Sequence, residues 1–125
     1  MSHFTTIQTQ IKDIEALRAA CAELNLPLLG NAEARAYGGR TEHGDFVIRL
    51  QGPYDIALHH QPDSTWHLSA DLWDGHVERE VGSHFGRLLQ LYGVHKASKE
   101  ARKRGHSVRR QSLANGAIKL VIGGI

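Results

Sequence analysis

Nine histidines in a chain of 125 residues raise metal chemistry first, because neutral imidazole is a common ligand for divalent ions. Two of them, His59 and His67, flank the turn-rich run Gln61-Pro62-Asp63-Ser64-Thr65, inside a stretch that alternates as a hairpin does. If these two face each other across the strands, Asp71, four residues beyond His67, falls on the same polar face. His59, His67 and Asp71 are therefore the candidate metal ligands, and a metal-dependent enzyme using this face is one reading of the chain. The spacing adds nothing further: there is no HExxH helix and no His-x-His repeat. His84 and His95 are eleven residues apart, about three helical turns, and too distant along an axis to share an ion. A solvent-facing polar strand pair explains the same residues, and no metal or cofactor is expected.

Nucleophile chemistry has less support. Cys21 is the only cysteine. It lies on an apolar stripe with nothing nearby in sequence to lower its pKa, so it reads as packing. No Gly-x-Ser-x-Gly elbow is present, and Gly82-Ser83-His84 reads as the opening of a helix. Gly38-Gly39 lacks the glycine spacing of a phosphate loop and leads into a strand, so it is expected to be a mobile hairpin loop. No residue is assigned a catalytic role.

The strongest chemical feature is charge. Residues 1–95 carry seven Lys and Arg against twelve Asp and Glu, whereas residues 96–125 carry eight Lys and Arg against Glu100 alone. Within this half, Lys96, Lys99, Arg102, Lys103, Arg104, Arg109 and Arg110 form a candidate partner-binding surface. Nucleic acid is one candidate partner, so an RNA- or DNA-binding module through segment 96–110 is a second reading. That segment holds no Phe, Tyr or Trp on which a single strand would stack its bases. An acidic protein surface is the partner expected.

The elements that must position these groups follow from hydrophobic period. Residues 4–11 alternate as a half-buried strand. Asp13 is an N-cap for a helix over 13–25 with Ile14, Leu17, Cys21 and Leu24 on one stripe, ended by Asn25 and Pro27. Residues 28–31 read as a connector, and 33–37 and 46–50 as strands. The segments 54–60 and 66–73 form the clearest hairpin, with Tyr54, Ile56, Leu58, Trp66, Leu68 and Leu72 toward the core. On the other, polar face lie Asp55, His59, His67, Ser69, Asp71 and Trp73. The longest helical period runs over 79–104, with Val81, Phe85, Leu88, Leu89 and Tyr92 on its buried stripe. Cations crowd its last turn before Gly105, as the helix dipole favours. Asn115-Gly116 then signals a two-residue hairpin pairing Leu113 with Ile118.

The order is β-α-β-β-β-β-α-β-β, an α+β fold with a single antiparallel sheet and two helices on one face. Its length suits one domain, 1–125. A hydrophobic fraction of 41% and a charged fraction of 22% are those of a globular chain, and no segment has the apolar length of a membrane span. The N-terminus has neither a basic start nor an apolar run, so a cytoplasmic location is expected.

The opening Met-Ser-His-Phe-Thr-Thr-Ile-Gln-Thr-Gln-Ile-Lys, the central Tyr54-Asp55-Ile56, the Leu68-Ser69-Ala70-Asp71-Leu72-Trp73 strand, the 88–92 helix segment and the closing Gly-Ala-Ile-Lys-Leu-Val resemble a known family. It is the small group of cyanobacteria and red-algal plastids called hypothetical chloroplast reading frame thirty-five, or domain of unknown function twelve fifty-seven. The resemblance implies an intracellular accessory protein associated with AAA-type ATPases, and it brings no catalytic or binding residue to carry over. The histidine-rich hairpin and the basic 96–110 segment depart from the family pattern.

Overall fold

The structure, a computed structural model, describes residues 4–124; the first three residues of the opening motif and Ile125 lie outside them. Strands β1 (Phe4–Ile7), β2 (Leu28–Arg35), β3 (Thr41–Ile48), β4 (Ile56–His60) and β5 (Trp66–Asp71) form an antiparallel sheet in the order β1-β5-β4-β3-β2. Helix α1 (Ile14–Glu23) follows β1, and α2 (His76–Val81) and α3 (Gly86–Lys103) follow β5. Strands β6 (Ser107–Ser112) and β7 (Ile118–Gly123) close the chain.

Asp13 caps α1 as its sequence position requires, accepting from the N–H groups of Glu15 at 3.0 Å and Ala16 at 3.1 Å. The stripes of α1 and α3 then meet over one face of the sheet. Leu17 and Cys21 from α1, Leu88 and Leu91 from α3, and Phe85 share one core with Ile48, Ile56, Leu58 and Leu68, with Leu89 and Tyr92 packed at its margin. The expected α+β class and common core are both present. Burial pushes the Cys21 thiol up to about 12, so no thiolate forms at neutral pH.

Four expectations change. The helix over 79–104 is not continuous: Gly82 (φ 86°, ψ 163°) stops α2, and a 3-10 turn at Ser83–Phe85 precedes α3. A side chain at Gly82 would meet the Arg87 nitrogen at 2.6 Å, so only glycine fits. The break turns both Val81 and Phe85 inward, at the cost of placing Phe85 at φ 61°. Second, β2 begins at Leu28, where a connector was expected, and β3 at Thr41, well before Phe46.

Third, the closing hairpin forms its own two-stranded sheet and does not join the main one. Its register pairs Ser112 with Ile118 and Arg110 with Leu120, one residue away from the pairing of Leu113 with Ile118. The Leu113 N–H bonds to the Ala117 carbonyl, making a three-residue turn with Gly116 at φ 87°. Such a slip exchanges the faces of a strand. Arg110 consequently lies on the side of Ile118, which packs on the main core, and Arg109 on the other.

Fourth, the second sheet face is not a solvated polar surface. The hairpin of β2 and β3 keeps one register from Leu28↔Ile48 to Arg35↔Thr41, but the ladder is interrupted at Asn31 opposite Asp45. Asn31 sits at φ 52°. Gly44 lies so close to the main sheet that a Cβ there would be 3.2 Å from both the Ala57 Cβ and the Leu58 nitrogen. Beyond this kink the distal half of the hairpin folds over the sheet, and Ala34, Val47 and Ala57 become a second, fully buried cluster. Asp55, Ser69 and Asp71 are buried by the same event.

Candidate interaction surface

The basic stretch divides in two once it is folded. Lys99 Nζ lies 2.7 Å and Lys96 Nζ 3.4 Å from Asp13 Oδ2, so the cap of α1 is also the acceptor of two cations from α3. The hydrogen bond from Lys99 holds the Asp13 carboxyl at about 2, below its usual value, against the opposing effect of burial. Lys96 also reaches Glu100 at 3.1 Å. Arg110 makes a two-pronged contact to Glu23 at 2.8 and 3.0 Å, and His95 Nε2 lies 2.8 Å from the same carboxylate. Arg110 chiefly, with His95 adding to it, lowers the Glu23 pKa. These three cations staple α1 to α3 and to β6.

Arg102, Lys103, Arg104 and Arg109 are exposed and make no ion pair among the described residues. The tight end of α3 orders them: the His106 N–H reaches back to the Ala101 carbonyl at 3.0 Å and Gly105 sits at φ 81°, a glycine-ended helix terminus. Four exposed cations thus stand around the junction of α3 and β6. The ring nearest in sequence, Tyr92, is already engaged, its hydroxyl accepting from the N–H groups of Lys12 and Asp13 at 3.2 Å.

The histidine candidates come out differently. His59 and His67 do pair across β4 and β5. His59 Nε2, however, lies 2.7 Å from Glu42 of the folded-over hairpin. Asp71 accepts from the N–H groups of Tyr37 at 3.0 Å and Trp73 at 2.9 Å. The carboxylate is buried and holds two loops together, so it does not join the two imidazoles. Among the described residues no group of three or more His, Cys, Asp or Glu side chains is placed to hold a metal ion.

The most concentrated polar constellation was not legible in the sequence. The Asp55 side chain has no exposed surface. It accepts from the N–H of Arg35 at 2.8 Å, from its Nε at 2.9 Å and from its Nη2 at 2.8 Å. It also accepts from Arg49 Nη1 at 3.0 Å and from the Leu50 N–H at 3.1 Å. Burial drives its carboxyl up, but Arg35 and the two backbone donors outweigh that and hold it below the usual carboxylate range. Arg35 Nη2 also donates to the carbonyls of Leu50 at 3.1 Å and Gly52 at 2.9 Å. With its carboxylate buried and accepting from both arginines and two backbone N–H groups, this cluster is a clasp for the hairpin. The Gly38-Gly39 tip it supports lies in a 3-10 turn anchored at its base: the Tyr37 N–H bonds to Asp71, and the Ala36 N–H to the Arg40 carbonyl at 2.8 Å.

No helix among the described residues is long and apolar enough to cross a membrane. No solved structure matches this chain. The model of a family described as "Protein of unknown function (DUF1257)" matches residues 20–121. The "Uncharacterized protein ycf35" of Pyropia yezoensis is 32% identical over 126 residues, covering 98% of this chain and 96% of that relative. A family model spanning most of the chain, together with a relative matched almost end to end, places this protein in the DUF1257 family to which ycf35 belongs.

Proposed function

We propose that this protein is a non-catalytic accessory subunit that docks on an acidic protein surface through Arg102, Lys103, Arg104 and Arg109. The observation that carries the reading is the division of labour within the basic segment. Lys96, Lys99 and Arg110 are spent on intramolecular carboxylates. Those same ion pairs fix the end of α3 and the start of β6, on which the other four cations stand. A charged group held in place by its scaffold loses little further freedom when a partner binds. The family resemblance implies an AAA-type ATPase as the partner, and the free, buried Cys21 suits a reducing, cytoplasmic compartment.

Charge reversal of Arg102, Lys103 and Arg104 to Glu in the full chain tests the reading. Recovery of the partner from native cell extract, followed by mass spectrometry, is expected to be abolished, while the circular dichroism spectrum and melting temperature are retained because the three side chains are exposed. The complex should survive nuclease. If recovery instead collapses with nuclease and falls steeply with salt, the corner binds phosphates of a nucleic acid. Full recovery by the reversed protein rules out the corner as the docking site.

A further inference from the structure

β2 is an edge of the main sheet, and its two halves differ. The distal half is closed: Arg35 donates its N–H to Asp55 Oδ2 at 2.8 Å and its carbonyl accepts from the Asp55 N–H at 3.0 Å. Among the described residues no such bond covers the proximal half, where Leu29 and Gly30 are exposed. Arg49 N–H bonds to the Pro27 carbonyl at 3.0 Å, which sets the phase of the ladder. Inward and outward bonding alternate along an antiparallel strand, so Leu29 turns its backbone groups toward its partner Val47. Leu28 and Gly30 turn theirs away from the sheet.

α1 flanks this edge. Arg18 and Ala22 of α1, with Asn25, Leu26, Pro27 and Leu28, line a groove of about 410 Å³. Leu29 is exposed beside it. At its mouth the Arg18 guanidinium lies over the Phe46 ring, 5.8 Å from the centroid, and its carboxylate neighbour, Glu15 at 3.2 Å, is itself exposed.

We propose that this groove binds an extended peptide segment of another protein, which adds as a strand along residues 28–30. Size argues for a peptide over a second copy of the chain. Three strand residues span about 10 Å, and Asn31 bends β2 away beyond them, whereas a stable dimer buries roughly 800 Å² on each partner. The outward N–H and C=O groups of Leu28 and Gly30 require free backbone donors and acceptors at alternating positions of the guest. The apolar wall of Ala22, Leu26, Pro27 and Leu28 requires alternating apolar side chains. Arg18 favours an acidic residue at the mouth. The inference does not depend on the basic corner of α3, and the two readings fail separately.

Panning a phage library of random twelve-residue peptides against the full chain, with Ala22→Arg as the counter-selected protein, tests it. Ala22 is exposed, so the arginine obstructs the groove without entering the core, and an unchanged melting temperature verifies this. Enriched peptides should alternate apolar residues without proline. They should bind Ala22→Arg at least about tenfold more weakly, a difference of about 1.4 kcal/mol. N-methylation of alternate amides in the same peptides should cost a similar factor, and the bound peptide should shift the Leu28 and Gly30 amide resonances. The proposal is overturned if no peptide is enriched over the Ala22→Arg protein, or if N-methylated peptides bind as well as their parents.

Discussion

Two regions of this molecule bring carboxylates and cations together, and they do so for different ends. At the hairpin clasp, Asp55 is fully buried and accepts from two arginines and two backbone N–H groups. At the corner of α1, α3 and β6, Asp13 and Glu23 face Lys96, Lys99, Arg110 and the His95 imidazole, each partly in water. The clasp joins one carboxylate to two arginines, and the corner two carboxylates to two lysines and an arginine. What differs is the carboxylate: the Asp55 side chain has no exposed surface, whereas Asp13 and Glu23 keep part of theirs in water, so water and salt weaken the interaction more at the corner than at the clasp. A buried clasp therefore decides where a chain segment lies, whereas a half-exposed corner orients side chains and leaves spare cations available to a partner.

That contrast can be broken most forcefully at the clasp. Asp55→Ala leaves the N–H groups of Arg35 and Leu50 without their acceptor and both arginines without their carboxylate, and we expect a loss of about 2–4 kcal/mol in urea denaturation, chiefly from the unpaired N–H groups. A loss under about 1 kcal/mol would mean that the arginines swing into solvent and the hairpin is held by its apolar cluster alone. Gly44→Val adds a side chain where even a Cβ would overlap the Phe46 carbonyl oxygen. It should cost about 1–3 kcal/mol and, by lifting the hairpin, raise hydrogen exchange at Ala57 and Leu58; protected amides there would place the fold-over elsewhere.

Smaller effects are expected at the corner. Asp13→Ala removes a cap and should cost about 1 kcal/mol, while Asp13→Asn keeps the cap and loses only the charge. The Asp13 carboxyl lies at about 2 in the folded protein, lowered chiefly by Lys99 from an unfolded value near 3.8. Its charge therefore contributes its full stabilisation above about pH 4, and that contribution is lost as pH falls through 2. Thermal melts of the wild type and Asp13→Asn should accordingly converge between pH 4 and 2; a constant gap would show that Lys99 does not act through charge. Glu23→Gln should change stability least, by under about 1 kcal/mol, with the difference shrinking in 0.5 M salt. A salt-independent effect of Asp55 size would erase the distinction between the two regions.

Local chemistry was enough for much of this. The Asp13 cap, the stripe that buries Leu17 and Cys21, and the opposition of His59 and His67 all follow from spacing within one element or one short hairpin. Period alone shows that a residue lies on one face of a strand or the other, but not whether that other face meets water. For Asp55 and Asp71 the answer came from residues 32–44, which a kink at Asn31 and Asp45 folds over the sheet. The sequence around either aspartate carries no trace of it.

The remaining differences have the same origin. The run over 79–104 keeps a helical period through Gly82, because period records which residues are buried and not whether the backbone between them is continuous. Turn preference pointed to a two-residue loop at Asn115-Gly116, yet the three-residue turn puts Ile118 on the main core and lets Arg110 reach Glu23, contacts with partners distant along the chain. By itself the sequence determined the number of strands, the helical stripes, the α1 cap and the charge segregation, all set by interactions within a few residues. Only the tertiary structure decided which cations stay free and which carboxylates are buried, because both depend on groups that folding brings together from dozens of residues apart.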